Sequence, residues 1–349
     1  MEFLDYLIEQ AERHDGFECA DAIKLCYQAA FGAEHMVSDN ALCYLVEEAK
    51  AVGTTDEVLT EAISNDYMRV NLSAWNALGL CERWLFNMFR DTAKMGAVHD
   101  EAYMTALLDT VTDAVSNGRV DLDALEWNAY LKKYRAGGYR PVHHSDDYRK
   151  LGSPHYRVVS REYAPVIELL KLGVCRTSPD CPLVIAIDGR AASGKTTLAE
   201  LIRGVVGGCV IHMDDFFLPF DMRTDERLAE PGGNVHYERF ADEVACKLSE
   251  KGTITYGAFD CYDGSMKSVS ADISEFVIVE GSYSLHPKLG DYADISVFMT
   301  IDGQAQLGRI VARNGNDMAE RFETTWIPLE EKYFEYYSIK DKADLIISN

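Results

Sequence analysis

Leu183 to Thr197 reads LVIAIDGRAASGKTT, and this stretch decides the fold. Leu183–Ile187 is a short, branched apolar run of the kind that forms a strand buried on both faces. Gly189, Arg190, Ala191, Ala192, Ser193, Gly194, Lys195 and Thr196 then satisfy G-x-x-x-x-G-K-[ST] at every fixed position, with Thr197 following. Leu198, Leu201 and Ile202 recur at helical spacing. Strand, glycine loop and helix are the context that turns this spacing into a phosphate site. Glycines let the backbone approach an anion closely, and the loop N–H groups and the helix N-terminus face it with partial positive charge. Lys195 is expected to reach the β- and γ-phosphates of a nucleotide, and the Thr196 hydroxyl to hold Mg²⁺.

Downstream, the apolar runs Leu183–Ile187, Val210–Met213, Phe276–Val279, Ile295–Met299 and Leu345–Ile347 alternate with helical segments. This rhythm predicts a three-layer α/β domain with a parallel sheet, the phosphate loop following its first strand. Upstream, residues 1–175 read as helix after helix and predict an all-α domain. Its apolar stripes include Phe3, Leu4, Leu7 and Ile8; then Ala22, Ile23 and Cys26; then Leu42, Leu45 and Val46 behind Ser38 as N-cap; and then Val58, Leu59, Ala62 and Ile63. Residues 161–172 make the last helix. Thr177-Ser-Pro-Asp-Cys-Pro182 reads as a linker, so the second domain is expected over 176–349.

Two domains also suit the length of 349 residues. The net charge of −23 argues against a broad phosphate-neutralising surface, so no nucleic acid partner is expected. No apolar run approaches the about 18 residues of a membrane span, and MEFLDYLIEQ has the pattern of an amphipathic helix rather than a signal peptide. Nine cysteines without a C-x-x-C pair suggest reduced thiols and a cytoplasmic location. A homo-oligomer is compatible with all of this.

The second strand runs into His212-Met213-Asp214-Asp215. Strand carboxyl ends open on the ligand crevice of a parallel sheet, so these acids should face the phosphates. A carboxylate there can take the proton of an attacking hydroxyl or hold Mg²⁺ through water; the plainer alternative is a solvated strand-end acid. Phe276-Val-Ile-Val-Glu280 delivers another carboxylate beside the metal position. Arg309 and Arg313 stand at i and i+4 on one helix, suited to clamp a phosphate or simply to pair with surface acids. The insertion 223–240 offers Asn234, His236 and Arg239 for gripping an acceptor, and Tyr256–Tyr262 offers Asp260. No N-K-x-D guanine-reading motif occurs.

With the phosphate loop, the stretches HMDDFFLP, PGGNVHYERF, IVEGSYSLHP and RNG…RF…WIPLEEKYF resemble the uridine kinase and phosphoribulokinase family of P-loop kinases over residues 181–349. The resemblance implies an α/β P-loop NTPase fold. It also implies transfer of phosphate from ATP, with Mg²⁺, to a hydroxyl of a nucleoside or sugar-like small molecule. Residue by residue it implies that Asp214 is the catalytic aspartate, that Glu280 is the metal-side acid, and that Arg309 and Arg313 belong to a mobile lid. Asp215 and Phe217 depart from the pattern, standing where a small polar residue and a tyrosine are usual, and Asp215 lies where the acceptor is expected.

The first domain is less explicit. Arg140 to Arg157 contains His143, His144 and His155, which could hold a metal, bind an anion, close over the acceptor or pack as an ordinary loop. Glu34-His35 and Arg69-Val-Asn71 are lesser candidates, with helix capping as the plain alternative. The competing function class is a nucleotide-binding regulator whose helical domain engages a protein partner.

Overall fold

The computed structural model describes residues 3–33, 37–38, 40–55, 58–176 and 181–349. The chain divides into two compact units, Met1–Ala164 and Pro165–Asn349. Glu34, His35 and the linker residues 177–180 lie outside the described residues. Among the described residues no helix is long and apolar enough to cross a membrane.

The first unit is helical, as expected, and is built around Cys19–Phe31, a helix buried on nearly every side. Trp75 and Trp127 are both fully buried. The unit is not purely α. It contains an antiparallel sheet of β1 (Thr60–Ala62), β2 (Tyr67–Asn71) and β3 (Tyr156–Ser160), in that order. Of the apolar residues that suggested a helix, Ala62 lies in β1 and Val58, Leu59 and Ile63 flank it. Ser64 accepts hydrogen bonds from the N–H groups of Asp66 and Tyr67 and so turns the chain back. Four apolar residues spread over six positions do not distinguish the two periods, and the turn decides. The helix Ala41–Ala51 starts behind Asn40, not Ser38.

In the second unit β4 (Leu183–Gly189), β5 (Cys209–His212), β8 (Phe276–Glu280), β9 (Ile295–Thr300) and β10 (Leu345–Ser348) form one parallel sheet in the order β10-β9-β4-β8-β5. Between β5 and β8 the chain makes a hairpin of β6 (Gly252–Phe259) and β7 (Met266–Ile273), which apolar periodicity did not announce. β4 and β8 are buried along their whole length, whereas edge strand β10 is only half covered. Helices flank the sheet, among them Lys195–Val206 after the glycine loop. Nearly all of the helix Ala164–Val174, read from sequence as closing the first domain, belongs to the second unit. There Gly173 approaches Leu183 and Ile295.

Register places the chemistry. Ile187 of β4 and His212 of β5 both lie opposite Glu280 of β8. The carboxyl ends of the three strands are level, and the loops that leave them converge.

Candidate active site

β4 ends in Gly189, whose φ of +138° and position allow no other residue: a Cβ there would fall 2.0 Å from the Met299 carbonyl oxygen of β9. The helix starts at Lys195 behind Gly194, another left-handed residue. Lys195 is buried rather than extended from an exposed loop. Its Nζ donates to the carbonyls of Gly189 (2.8 Å) and Arg190 (2.9 Å) and to Ser282 Oγ (3.3 Å). A positive charge is thereby held inside the curve of the loop.

Thr196 Oγ1 donates to Glu280 Oε2 at 3.2 Å, and Glu280 Oε1 lies 2.6 Å from His212 Nδ1. The bond to Glu280 raises the His212 pKa above its ordinary value. Asp214 and Asp215 follow on the turn Met213–Phe216. Burial raises the pKa of both. For Asp214 the charge of Lys195 opposes the rise and Glu280 adds to it; for Asp215 the charge of His212 and the Tyr256 hydroxyl oppose it. The two acids differ in their partners. Tyr256 donates its hydroxyl to Asp215 Oδ2 at 3.3 Å. Among the described residues the Asp214 carboxylate, which keeps contact with solvent, accepts no hydrogen bond.

Around these acids the acceptor candidates separate. Arg239 stacks 4.6 Å over the Phe216 ring and donates to the carbonyls of Asp215 (2.7 Å) and Gly257. It pins the acid-bearing turn to β6, with its buried Nε–H unbonded. His236 caps the helix Tyr237–Glu243 by accepting from Arg239 N. The Asn234 carbonyl receives Leu218 N, which ties the insertion to the turn. Asp260 caps the β6–β7 turn through Tyr262 N and pairs with Lys267 (2.8 Å), so its charge is already engaged at the hairpin tip.

Arg309, on the helix Gly303–Asn314, donates to the Ala192 carbonyl of the glycine loop at 3.2 Å. Arg313, one turn on, bonds its neighbour Asn314. Only Arg309 is in contact with the loop.

Several residues that hold the site were not singled out from sequence. Asp188, wholly buried, accepts from Gly189 N (2.7 Å) and Tyr283 N (2.9 Å) on one oxygen and from Leu285 N (2.9 Å) and Tyr333 OH (2.8 Å) on the other. Burial raises its pKa, and these donors oppose the rise. Glu330 accepts from Ala191 N (3.0 Å) and Ser282 Oγ (2.7 Å), and Glu331 makes a two-pronged pair with Arg190. An acid inside an otherwise apolar strand was the one available signal for Asp188. The glutamates sit in an ordinary charged helix pattern, and only folding brings them to the loop.

In the first unit His144 is buried between Asp21 (Nδ1, 2.6 Å) and the Tyr156 hydroxyl (Nε2, 2.6 Å), and His155 pairs with Glu48. His143 is exposed. Asn71 caps the helix Leu72–Ala77, which accounts for that residue by the plain alternative. Among the described residues no group of three or more His, Cys, Asp or Glu side chains could hold a metal ion.

No family model matches the chain. It is similar to a uridine kinase of Limosilactobacillus reuteri, 30% identical over 154 residues that span 40% of this chain and 67% of that protein. It is also similar to uridine-cytidine kinase D of Dictyostelium discoideum, 27% identical over 118 residues; these are 34% of this chain but only 23% of the Dictyostelium protein. Among solved structures, a possible uridine kinase from Bacillus stearothermophilus superposes with a TM-score of 0.41 at 20% identity, covering 53% of this chain and 99% of that one.

Proposed function

Over its C-terminal half this chain belongs to the uridine kinase family of P-loop kinases, and on that premise we propose that it is an ATP- and Mg²⁺-dependent kinase phosphorylating a hydroxyl of a small nucleoside- or sugar-like molecule. The observation that carries the reading is the contrast between the two adjacent acids. Asp214 presents a carboxylate without a hydrogen bond, of raised pKa, on the turn beyond Glu280's neighbour strand, while Asp215 is engaged by Tyr256.

In this reading the loop N–H groups and Lys195 bind the nucleotide phosphates. Lys195 exchanges its bonds to the Gly189 and Arg190 carbonyls for bonds to phosphate oxygens. Thr196 and Glu280 supply two hard oxygen donors 3.2 Å apart, which suits Mg²⁺, a cation that keeps several waters and takes the rest of its ligands from phosphates. Asp214 could add a third oxygen through water. When bound, the ion neutralises charge that develops on the transferred group. Asp214 accepts the acceptor's hydroxyl proton. Arg309, already against the loop, and Arg313 stabilise the charge on the transferring phosphoryl group. Asn234, His236 and Arg239 act through the shape of the acceptor pocket, and Asp215 lines it. The enzyme works in the cytoplasm on a freely diffusing acceptor.

The test is an ADP-release screen over nucleosides, sugars and vitamin precursors, repeated with Asp214→Asn and Asp215→Asn. Asp214→Asn is expected to lose roughly 10²- to 10⁴-fold in turnover with ATP binding retained, and Asp215→Asn less. The reverse order moves the base to Asp215. Tight ATP binding with no acceptor-dependent ADP release for any compound favours a nucleotide-binding regulator instead.

A further inference from the structure

The first unit contains a cavity of about 310 Å³, lined by its own residues. Lys24 and Gln28, one turn apart on the buried helix Cys19–Phe31, both line it. Lys24 is only 7% exposed. Its Nζ donates one hydrogen bond, to the Val142 carbonyl at 3.3 Å. Among the described residues no carboxylate lies within ion-pair distance of it. An ammonium has three donors, so two remain to be satisfied in a buried setting.

A second buried cation stands behind the first layer. Arg69 donates to Gln28 Oε1 (2.7 and 3.2 Å) and Gln10 Oε1 (3.0 Å) and lies 4.0 Å over the Tyr156 ring. It too has no carboxylate within ion-pair distance among the described residues. Asp21, the buried acid nearby, is occupied by His144 Nδ1 and by the N–H groups of Ser145 and Glu18. Gln28 Nε2 donates to the Tyr156 hydroxyl, which leaves that hydroxyl's proton for His144 Nε2. The imidazole is thus neutral, and Asp21, its carboxyl held below the usual range by these hydrogen bonds, is the one negative charge of the network.

Among the described residues the charged lining is three cations, Lys24, Arg149 and Arg157, against one acid, Glu48. Glu48 is already paired with Arg157 at 2.6 Å, and Arg149 on the outer side with Asp146. In a chain of net charge −23 this is a local reversal of sign. Among the described residues two buried cations, neither within ion-pair distance of a carboxylate, share the field of Asp21, an arrangement that is costly unless a polar partner completes it. Burial, reinforced by Arg69, already lowers the Lys24 pKa to about 8. The rings of Tyr44, Phe89 and Tyr156 complete the wall with apolar carbon.

We propose that the first unit is a binding module for a small organic oxyanion, a carboxylate or phosphate monoester, whose charged group sits on Lys24 and whose carbon skeleton lies against the aromatic wall. The site is independent of the kinase reading and stands whether or not the second unit transfers phosphate.

The test is isothermal titration calorimetry on the full chain, with Mg·ADP present throughout to engage the glycine loop. Inorganic phosphate and succinate serve as probes and distinguish the two anion types. At least one should bind, with an affinity lowered about tenfold or more in Lys24→Met and largely kept in Lys24→Arg, as for loss of a charge-assisted bond. Equal affinity in the parent and Lys24→Met, or no binding of either probe to the parent at about 10 mM, overturns the proposal. A soak of parent crystals with the same probes does not depend on how the variants fold. Density against Lys24 Nζ supports the site, and density elsewhere only, or none, overturns it.

Discussion

Asp188→Asn exchanges one oxygen for an NH₂ and leaves the shape of the side chain unchanged, so its effect measures how the glycine loop is held. Each Asp188 oxygen accepts two donors, three of them backbone N–H groups that cannot turn away. An asparagine must point its NH₂ at one pair. The cheaper orientation faces Leu285 N and Tyr333 OH, because the Tyr333 hydroxyl can rotate and accept. Leu285 N–H is then left unsatisfied, at about 1–3 kcal/mol, and the other bonds fall from charge-assisted to neutral strength. Relief of a buried charge offsets part of this. A net loss of about 3 kcal/mol corresponds to a melting point lower by roughly 6–12 °C for a unit of this size. Thermal melting of the full chain gives the shift, and hydrogen exchange in 183–189 locates it in the second unit. A variant within about 0.5 kcal/mol of the parent, with unchanged exchange in β4, refutes the account of Asp188 as the anchor of the loop.

Lys195→Ala should weaken ATP binding and abolish turnover; because the buried ammonium also ties two loop carbonyls, a stability loss of about 1–2 kcal/mol should accompany it. Unchanged ATP affinity would remove the basis of the nucleotide site. Burial lowers the pKa of His144 and of His286 to about 4, so both are held neutral in the folded chain. Folded values below the unfolded ~6.5 mean that stability is complete above that pH and is lost as pH falls from there towards 4, by up to about 3 kcal/mol per histidine. His212, raised by Glu280, contributes in the opposite sense as pH rises. Urea midpoints between pH 7.5 and 4.5 should fall, less steeply in His144→Asn, and a flat profile contradicts the burial argument. Finally, a chain beginning at Pro165 should fold more stably than one beginning at Arg176, which lacks the buried Val166, Ile167, Leu169 and Leu170. Equal urea midpoints for the two would return that helix to the first domain.

What could be seen in the sequence was whatever depends on local spacing. The glycine loop, the five strand cores and the strand-end acids follow from periods and motifs short enough to read along the chain. The antiparallel β1–β3 sheet did not, because β1 is three residues long and β3 lies far from it in sequence. Its existence depends on a pairing, Asn71 opposite Tyr156, that no local pattern encodes. The braces of the site were hidden for the same reason. Glu330 sits 139 positions from the Ala191 N–H that it receives. The paired histidines His143 and His144 read alike in sequence, and burial separates them: one is solvated and the other is locked between Asp21 and Tyr156.

Both ends of the 303–337 segment fasten on residues 190–192 of the glycine loop and meet at Ala191. At one end Gln306 and Arg309 hold the carbonyls of Ala191 and Ala192; at the other Glu330 and Glu331 hold the Ala191 N–H and the Arg190 guanidinium. The chain between, interrupted at Gly315 and by the π-turn Phe322–Trp326, is a bucket handle hinged at two points on one bracket. Arg309 and Arg313 stand one turn apart on the helix Gly303–Asn314, on the near side of the break at Gly315, so both belong to the fastened end. The two arginines are thus carried on one rigid rod whose footing is the glycine loop itself, and whatever displaces residues 190–192 displaces both guanidinium groups together.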